Sequence, residues 1–167
     1  GVQANSVFLA LTFAEFWLRL TLVDILDYAA LKNMGERMSH VIKNPKDIKA
    51  AVGTNYPTPH DAICSKREKY RLGDATGLTN YGVNYVVLPA GQASAQRHWH
   101  KVQDEFVWVL DGELILVTDA GEELMTPGMS AGFPAGEPDG HHLVNRTDKP
   151  AAYLENGDRL SGDSGAY

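Results

Sequence analysis

The stretch with the clearest capacity for chemistry is GQASAQRHWHKVQDEFVWVLDG, residues 91–112. Its two histidines, His98 and His100, are two residues apart, so a β-strand would point both imidazoles to the same face. Two ligands of one metal ion require that arrangement. Glu105 follows a short polar turn and begins the next apolar run. The spacing of these three residues therefore predicts part of a metal site.

A second stretch, residues 128–145, reads GMSAGFPAGEPDGHHLVN and contributes His141 and His142 at the start of a later predicted strand. One of these imidazoles, added to the three side chains of the first stretch, gives three nitrogen donors and one oxygen donor. Such a mixed set suits Mn, Fe, Ni, Co or Zn. We therefore expect a divalent transition metal. An ion that prefers six ligands would keep two adjacent positions open for water, a hydroxy-carbonyl compound or dioxygen.

The elements that must position these side chains are short β-strands. Turn residues separate the runs, and Asp111-Gly112 between two apolar runs predicts a β-hairpin. The pattern lacks the alternation of strands and helices that a parallel sheet needs, so it favours an antiparallel sandwich or barrel. The predicted strands cover residues 81–88, 96–100, 105–110, 113–118, 122–125, 141–146 and 151–155.

The N-terminal segment differs in composition from the rest. The first 50 residues hold two glycines and one proline, whereas the other 117 hold fourteen and seven. Residues 6–31 are rich in Leu, Ala, Phe and Trp and predict one or two helices. Within this segment the longest stretch without a charged residue is 1–14, too short for a membrane-spanning helix. We treat residues 1–43 as a helical N-terminal extension.

Residues 44–167 are predicted to form the single domain that follows this extension. Asn44 as a cap, followed by Pro45, predicts a short helix over residues 45–52. The basic run at residues 66–71 is expected to be an exposed loop that could act as a lid.

Composition limits the classes of partner and compartment. The chain of 167 residues has 15 basic and 21 acidic side chains and a net charge of −6, so it has no overall positive field for nucleic acid. Its single cysteine, Cys64, cannot form an intramolecular disulfide, which favours a reducing compartment such as the cytoplasm. We expect a small-molecule ligand and no nucleic-acid or membrane partner.

The ordered pair of motifs resembles that of a small single-domain cupin, of the group that includes sugar-phosphate isomerases. The first cupin motif is matched by Gly91, His98, His100, Glu105 and Gly112. The second is matched by Gly128, Pro134, Gly136, His141 and Asn145. In the second motif three residues separate the histidine from the asparagine, which favours His141 over His142 as the fourth ligand because Asn145 follows at that spacing. The spacer before this histidine is two residues longer than usual.

This resemblance implies a double-stranded β-helix, or jelly-roll barrel, with a core at about residues 80–155 and the metal inside its mouth. It also implies a homodimer. Alternation along the predicted strands adds Gln96 and Asn145 to the inward side, as tentative substrate contacts. The remaining walls are expected to be aliphatic, with no Arg or Lys from these strands. Such a cavity would bind phosphate poorly unless the run at 66–71 supplied the cations.

Three functions follow from such a site. The first is a metal-dependent isomerase that acts on a sugar or a related hydroxy-carbonyl compound, with a base that moves the α-proton. The second is an Fe- or Ni-dependent dioxygenase, and the third is a non-catalytic cupin that binds a small molecule. The sequence does not assign a base to the isomerase, because Glu105 is used as a ligand and His142 is predicted to point outward.

Overall fold

The computed structural model describes residues 41–167. It is mainly β, as the sequence predicts. The predicted helices of residues 6–31 lie outside the described residues, as does all but the end of the extension assigned to 1–43. Residues 41–43 are irregular. Within 41–167 no helix is long and apolar enough to cross a membrane.

Two sheets face each other across the core. The larger has six strands in the order β1-β2-β3-β10-β5-β8, and all its neighbouring strands are antiparallel. Its strands are Ala51–Val52 (β1), Glu68–Arg71 (β2), Tyr81–Leu88 (β3), Glu105–Asp111 (β5), Ser130–Phe133 (β8) and Ala151–Asp158 (β10).

The smaller sheet has three antiparallel strands in the order β7-β6-β9. They are Leu114–Thr118 (β6), Gly121–Met125 (β7) and His142–Val144 (β9). A separate two-stranded ribbon pairs Trp99–His100 (β4) with Gly165–Ala166 (β11). This ribbon brings the C-terminal residues beside the His-Trp-His segment.

Alternating residues on both sheets form one apolar core. On β5, Val107 and Val109 are buried, whereas Phe106, Trp108 and Leu110 lie on the opposite, exposed face. This period of two agrees with the inward and outward sides expected from the sequence. The buried cluster is completed by Val86, Leu88, Leu114, Leu116, Met125, Leu143, Ala151 and Tyr153.

The Asp111-Gly112 hairpin prediction is wrong. Asp111 ends β5 in the larger sheet, and Leu114 begins β6 in the smaller one, so the two strands do not pair. Gly112 has φ +74°, and a Cβ there would lie 2.8 Å from the Ala151 Cβ, so glycine is needed for the chain to cross closely between sheets. The true hairpin joins β6 to β7, where Thr118 pairs with Gly121.

The helix predicted over residues 45–52 is also wrong in extent. A 3-10 turn covers only Pro45–Asp47, and the Asn44 side chain accepts a hydrogen bond from the Lys46 N–H as expected of a cap. The chain then becomes extended at Ile48, and Ala51–Val52 joins the larger sheet as β1. Pairing with β2 replaces the helical hydrogen bonds.

A further strand lies where a loop was expected. Residues 68–71 form β2, which pairs with β3 along its full length. The short β8 and β11 were likewise not predicted, because four and two residues carry too little alternation to be recognised. The remaining described elements are a 3-10 turn at Ala62–Cys64 and a single α-helical turn at Leu72–Ala75.

Candidate metal centre

Three short elements bring the predicted ligands together at one end of the core. His98 and His141 face each other in an isolated antiparallel bridge, with backbone hydrogen bonds of 3.3 and 2.9 Å in the two directions. His100 ends β4, and Glu105 begins β5. The residues between them form the polar turn that the sequence indicates.

The side chains converge on one point. His98, His100 and Glu105 each offer a donor atom within 4.8 Å of the other two. His141 completes the set, because its Nε2 lies 3.6 Å from Glu105 Oε2, the same distance as His100 Nε2 from that oxygen. The geometry therefore brings His98, His100 and Glu105 together as a possible metal group and places His141 beside Glu105.

Each of the three imidazoles is oriented by an oxygen on its far side. His98 Nδ1 donates to the Gln96 carbonyl oxygen at 2.8 Å, and His141 Nδ1 donates to the Asp139 carbonyl oxygen at 3.0 Å. His100 Nδ1 donates to Asp163 Oδ2 at 2.7 Å. Since these oxygens only accept, the proton must sit on each Nδ1, which leaves each Nε2 lone pair for the centre.

The residues fit a metal ion on two further grounds. His141 Nε2 is buried and has no hydrogen-bond partner among the described residues, a costly state for a polar atom unless an ion occupies the centre. Phe133 stacks on the His141 ring with centroids 3.5 Å apart, which holds the ring in place. The donor set suits Mn, Fe, Ni, Co or Zn.

The electrostatics also match an ion-binding role. Burial lowers the pKa of His98, so this imidazole stays neutral to lower pH than a free one. Burial alone would raise the pKa of the Glu105 carboxyl, but the surrounding His141, His98 and His100 outweigh it and lower that pKa. Neutral imidazoles and an ionised carboxylate are the forms that bind metal.

The centre opens into a cavity of about 570 Å³. As expected, none of the strands predicted at 96–100, 105–110 and 141–146 contributes an Arg or Lys to its wall, and the cations come from elsewhere in the chain. The cavity is lined by alternate residues of β2 and of the position before it, which are Arg67, Lys69 and Arg71. Arg159, just after the end of β10, also lines it. The basic run is thus a wall built into the sheet rather than a loop above it.

A carboxylate faces this cationic wall. Glu155 Oε1 accepts from Lys69 Nζ at 2.6 Å and from Asn84 Nδ2 at 3.1 Å. Both charged side chains are mostly buried, with exposed fractions of 21% for Lys69 and 18% for Glu155. Sequence reasoning missed this cluster, although the alternation of Ala151, Tyr153 and Glu155 along one strand could have placed Glu155 on the inward side.

The C-terminal residues close one side of the centre. The Asp163 carboxylate accepts from His100 and also, through Oδ1, from the backbone N–H groups of Val102 and Gln103 at 3.0 and 3.3 Å. Burial tends to raise the pKa of Asp163, but these hydrogen bonds lower it overall. Tyr167 stacks beside His98, with ring centroids 5.8 Å apart. Asp163 was not foreseen, because no spacing rule links it to the His-x-His motif.

The tentative substrate contacts lie elsewhere. Gln96 donates to the His60 carbonyl oxygen at 2.7 Å. Asn145 is fully buried, and its amide nitrogen donates to the carbonyl oxygens of Leu88 and Lys149. Neither residue lines the cavity beside the centre. His142 points its Nδ1 at the Ala95 carbonyl oxygen, 2.9 Å away, and burial lowers its pKa.

Comparison with known proteins agrees with the geometry. The Cupin_2 family, described as Cupin domain, matches residues 84–156. A structure described as a sugar phosphate isomerase from a cupin superfamily, from Silicibacter pomeroyi, is 46% identical over 76% of this chain and 81% of its own, with a TM-score of 0.73. No match is found among the curated proteins.

Two further structures are more distant. A protein of Acidithiobacillus ferrooxidans, provisionally described as a sugar phosphate isomerase, is 30% identical over 61% of this chain and 65% of its own, with a TM-score of 0.59. The polyketide cyclase RemF of Streptomyces resistomycificus is 19% identical over 76% of this chain and 85% of its own, with a TM-score of 0.60, and shares the fold. With its paired motifs, facing sheets and 46% identity to a cupin, this chain belongs to the cupin superfamily.

Proposed function

We propose that this cupin is a metal-dependent isomerase that acts on a phosphorylated sugar or a related hydroxy-carbonyl compound. The observation that carries the proposal is that the four predicted ligands border a cavity that is also lined by cations and by the Glu155 carboxylate. His98, His100, Glu105 and His141 would hold the divalent transition metal. A bound ion would act as a Lewis acid on the substrate carbonyl and make the adjacent C–H bond more acidic.

The cations support an anionic substrate. The Arg67 guanidinium contacts the backbone oxygens of Ser94 and Gly53, and among the described residues no carboxylate pairs with it. Arg71 has a side chain that is 62% exposed and lies 3.9 Å from Asp74. Both arginines therefore keep positive charge available to a phosphate that enters the cavity.

The similarity to the Silicibacter pomeroyi protein supports the same substrate class. Its description names a sugar phosphate isomerase, and at 46% identity it spans most of both chains. The dioxygenase and the non-catalytic binding protein remain alternatives, because the same donor set could serve each of them. The dioxygenase would require oxygen, and the binding protein would show no turnover.

The test is turnover without oxygen. The protein is loaded separately with Mn, Fe, Ni, Co or Zn and incubated anaerobically with aldose phosphates of three to six carbons and with the unphosphorylated sugars. We expect aldose–ketose interconversion by proton NMR, with kcat/KM at least tenfold higher for phosphorylated substrates. Oxygen uptake without isomerisation would identify a dioxygenase, and ligand-induced thermal stabilisation without turnover would identify a binding protein.

Matched variants distinguish an effect on the site from a general effect of substitution on the protein. His98→Ala should lose both bound metal and turnover. Arg67→Met should retain the metal and lose the preference for phosphorylated substrates. Arg146→Met is the control, because this exposed arginine pairs with Glu122 and does not line the cavity.

We also propose that the protein is a homodimer. Phe106, Trp108 and Leu110 lie in a row on the outer face of β5, with exposed fractions of 41%, 45% and 38%. Contiguous apolar side chains of this size favour contact with another protein surface. Light scattering should give the mass of two chains, and Trp108→Lys should reduce it to one. The cytoplasmic location and the small-molecule partner stay predictions.

A further inference from the structure

We propose that Glu155 is the catalytic base of this cavity, with Lys69 and Asn84 as its positioning residues. The isomerase step in this inference rests on the proposed function, whereas the placement of a reactive carboxylate facing the metal centre does not. Sequence reasoning assigned no base, because Glu105 serves as a ligand. Glu155 supplies one from a different strand.

The contacts leave one oxygen of Glu155 free to react. Oε1 is held by Lys69 Nζ at 2.6 Å and by Asn84 Nδ2 at 3.1 Å. Within residues 41–167, Oε2 receives no hydrogen bond. The carboxylate is therefore fixed through one oxygen while the other remains available in the cavity.

The strand register places this carboxylate toward the metal ligands. Glu155 on β10 pairs with Val107 on β5, and Glu105 lies two residues along β5 on the same face. The two glutamates are thus diagonal neighbours, with backbone positions roughly 7–8 Å apart. Gly157 stands directly opposite Glu105 and places no side chain between Glu155 and the metal ligands; a Cβ there would lie 3.2 Å from the Asp104 carbonyl oxygen.

Apart from Glu105, the other carboxylates of the cavity have different contacts. Asp104 Oδ1 accepts from the Ala135 N–H at 2.8 Å, and Asp158 Oδ2 accepts from the Asp104 N–H at 3.3 Å. Asp74 pairs with Arg159, and its side chain is 43% exposed. Glu155 is less exposed, at 18%, and is held by Lys69 and Asn84. His142 also lines the cavity, with its Nδ1 bonded to the Ala95 carbonyl oxygen.

The proton transfer balances without another reactant. Glu155 Oε2 takes the proton from the carbon that bears the hydroxyl group, the C–H electron pair becomes the carbon–carbon double bond of an enediolate, and the carbonyl π pair moves onto the carbonyl oxygen. The resulting carboxylic acid then returns the proton to the neighbouring carbon. The oxygen-bound proton moves between the two substrate oxygens, so the ketose contains the same atoms as the aldose.

The first test measures proton abstraction. Glu155→Gln keeps an oxygen for Lys69 and Asn84 but removes the base, and it should lower kcat by about 10²- to 10⁴-fold. Bound metal and KM should stay within twofold of the wild type. Glu123→Gln is the control, because Glu123 is exposed on β7 outside the cavity. Lys69→Met should lower kcat more than it changes KM, and Lys69→Arg should restore part of the loss.

The second test does not depend on turnover. Bromohydroxyacetone carries a hydroxy-carbonyl group for the metal centre and an electrophilic carbon for a nearby nucleophile. Attack by Glu155 Oε2 would form a C–O ester bond and release bromide. Peptide mass spectrometry should find the added mass on Glu155 in the metal-loaded protein. The label should be absent after chelation and in Glu155→Gln, and unchanged in Glu123→Gln.

The outcomes separate this inference from the proposed function. If the wild type isomerises sugars while Glu155→Gln retains more than half its kcat, the base assignment is overturned and the isomerase stands. If nothing is isomerised but the label maps to Glu155, the isomerase fails and the reactive carboxylate stands. Labelling at another residue, or equal labelling of the Gln variant, overturns the assignment in either case.

Discussion

The contact between His100 and Asp163 makes a sharp test of the metal centre. In Asp163→Asn the side chain keeps its shape but has one oxygen and one NH₂ group. If the oxygen continues to accept from the N–H groups of Val102 and Gln103, the NH₂ group faces His100 Nδ1. Nδ1 must then accept, so the proton moves to Nε2 and blocks the metal-binding lone pair. If the amide turns over, its NH₂ group faces two donors.

The size of the effect follows from the bond that is lost. The contact is 2.7 Å long, and the exposed fractions are 26% for His100 and 12% for Asp163, so solvent screens it only in part. A hydrogen bond to a charged group contributes about 1.5–3 kcal/mol. At about 1.4 kcal/mol per tenfold change in Kd, metal affinity should fall by about 10- to 100-fold.

The assay is competition with a chromophoric chelator at fixed pH, carried out with Zn²⁺ and repeated with Mn²⁺. Asp158→Asn is the matched control, since Asp158 accepts one backbone N–H in the same region and does not contact a histidine. Its metal affinity should stay within twofold of the wild type. Thermal unfolding of both metal-free variants checks that the fold is retained.

An unchanged Kd in Asp163→Asn would refute the reasoning, because it would show that the carboxylate does not set the His100 tautomer. An equal loss in both variants would instead mean that the C-terminal turn as a whole matters. Either result would remove Asp163 from the metal centre.

Four further predictions concern the ligands, pH, the core and the N-terminal segment. His141→Ala should lose metal by elemental analysis, whereas His142→Ala should retain it; the reverse result would exchange their roles. Because burial lowers the pKa of His98, acid should protonate this imidazole and weaken metal binding through it only below the pH range usual for histidine, as titrations of wild type and His98→Ala at several pH values would show. Asn145→Ala should lower the free energy of unfolding by about 2–4 kcal/mol in urea denaturation, since four hydrogen bonds end on this buried side chain. Deletion of residues 1–33 should change the oligomeric state or the solubility and leave the metal content unaffected. A soluble variant with an unchanged number of chains per particle by light scattering would contradict this.

Much of the metal centre could be predicted from the sequence. A β-strand has a period of two residues, so His98 and His100 must share a face whatever the rest of the fold does. The motif spacing then adds Glu105 and His141, and the structure groups Glu105 with the two histidines and places His141 Nε2 3.6 Å from Glu105 Oε2. Local chemistry also predicted the Asn44 cap, because a cap depends only on adjacent residues.

The pairing of strands that are distant along the chain could not be predicted from the sequence. Asp111-Gly112 has hairpin chemistry, yet the strands on either side enter different sheets because the crossing at Ala151 decides their partners. The basic run at 66–71 lacks the apolar alternation of a strand, and only pairing with β3 makes it one. A polar strand of this kind is stabilised by its neighbour rather than by its own residues.

The residues of the candidate metal centre also fall into those that the sequence predicts and those that only the tertiary structure places. The sequence by itself determined the candidate ligands and their donor chemistry, since these depend on residue type and on the spacing within two short motifs. Only the tertiary structure placed Glu155 beside Lys69, 86 positions apart, and Asp163 behind His100, 63 positions apart. Such contacts come from strand order and from the return of the C-terminal chain, which bring together residues that no local periodicity connects.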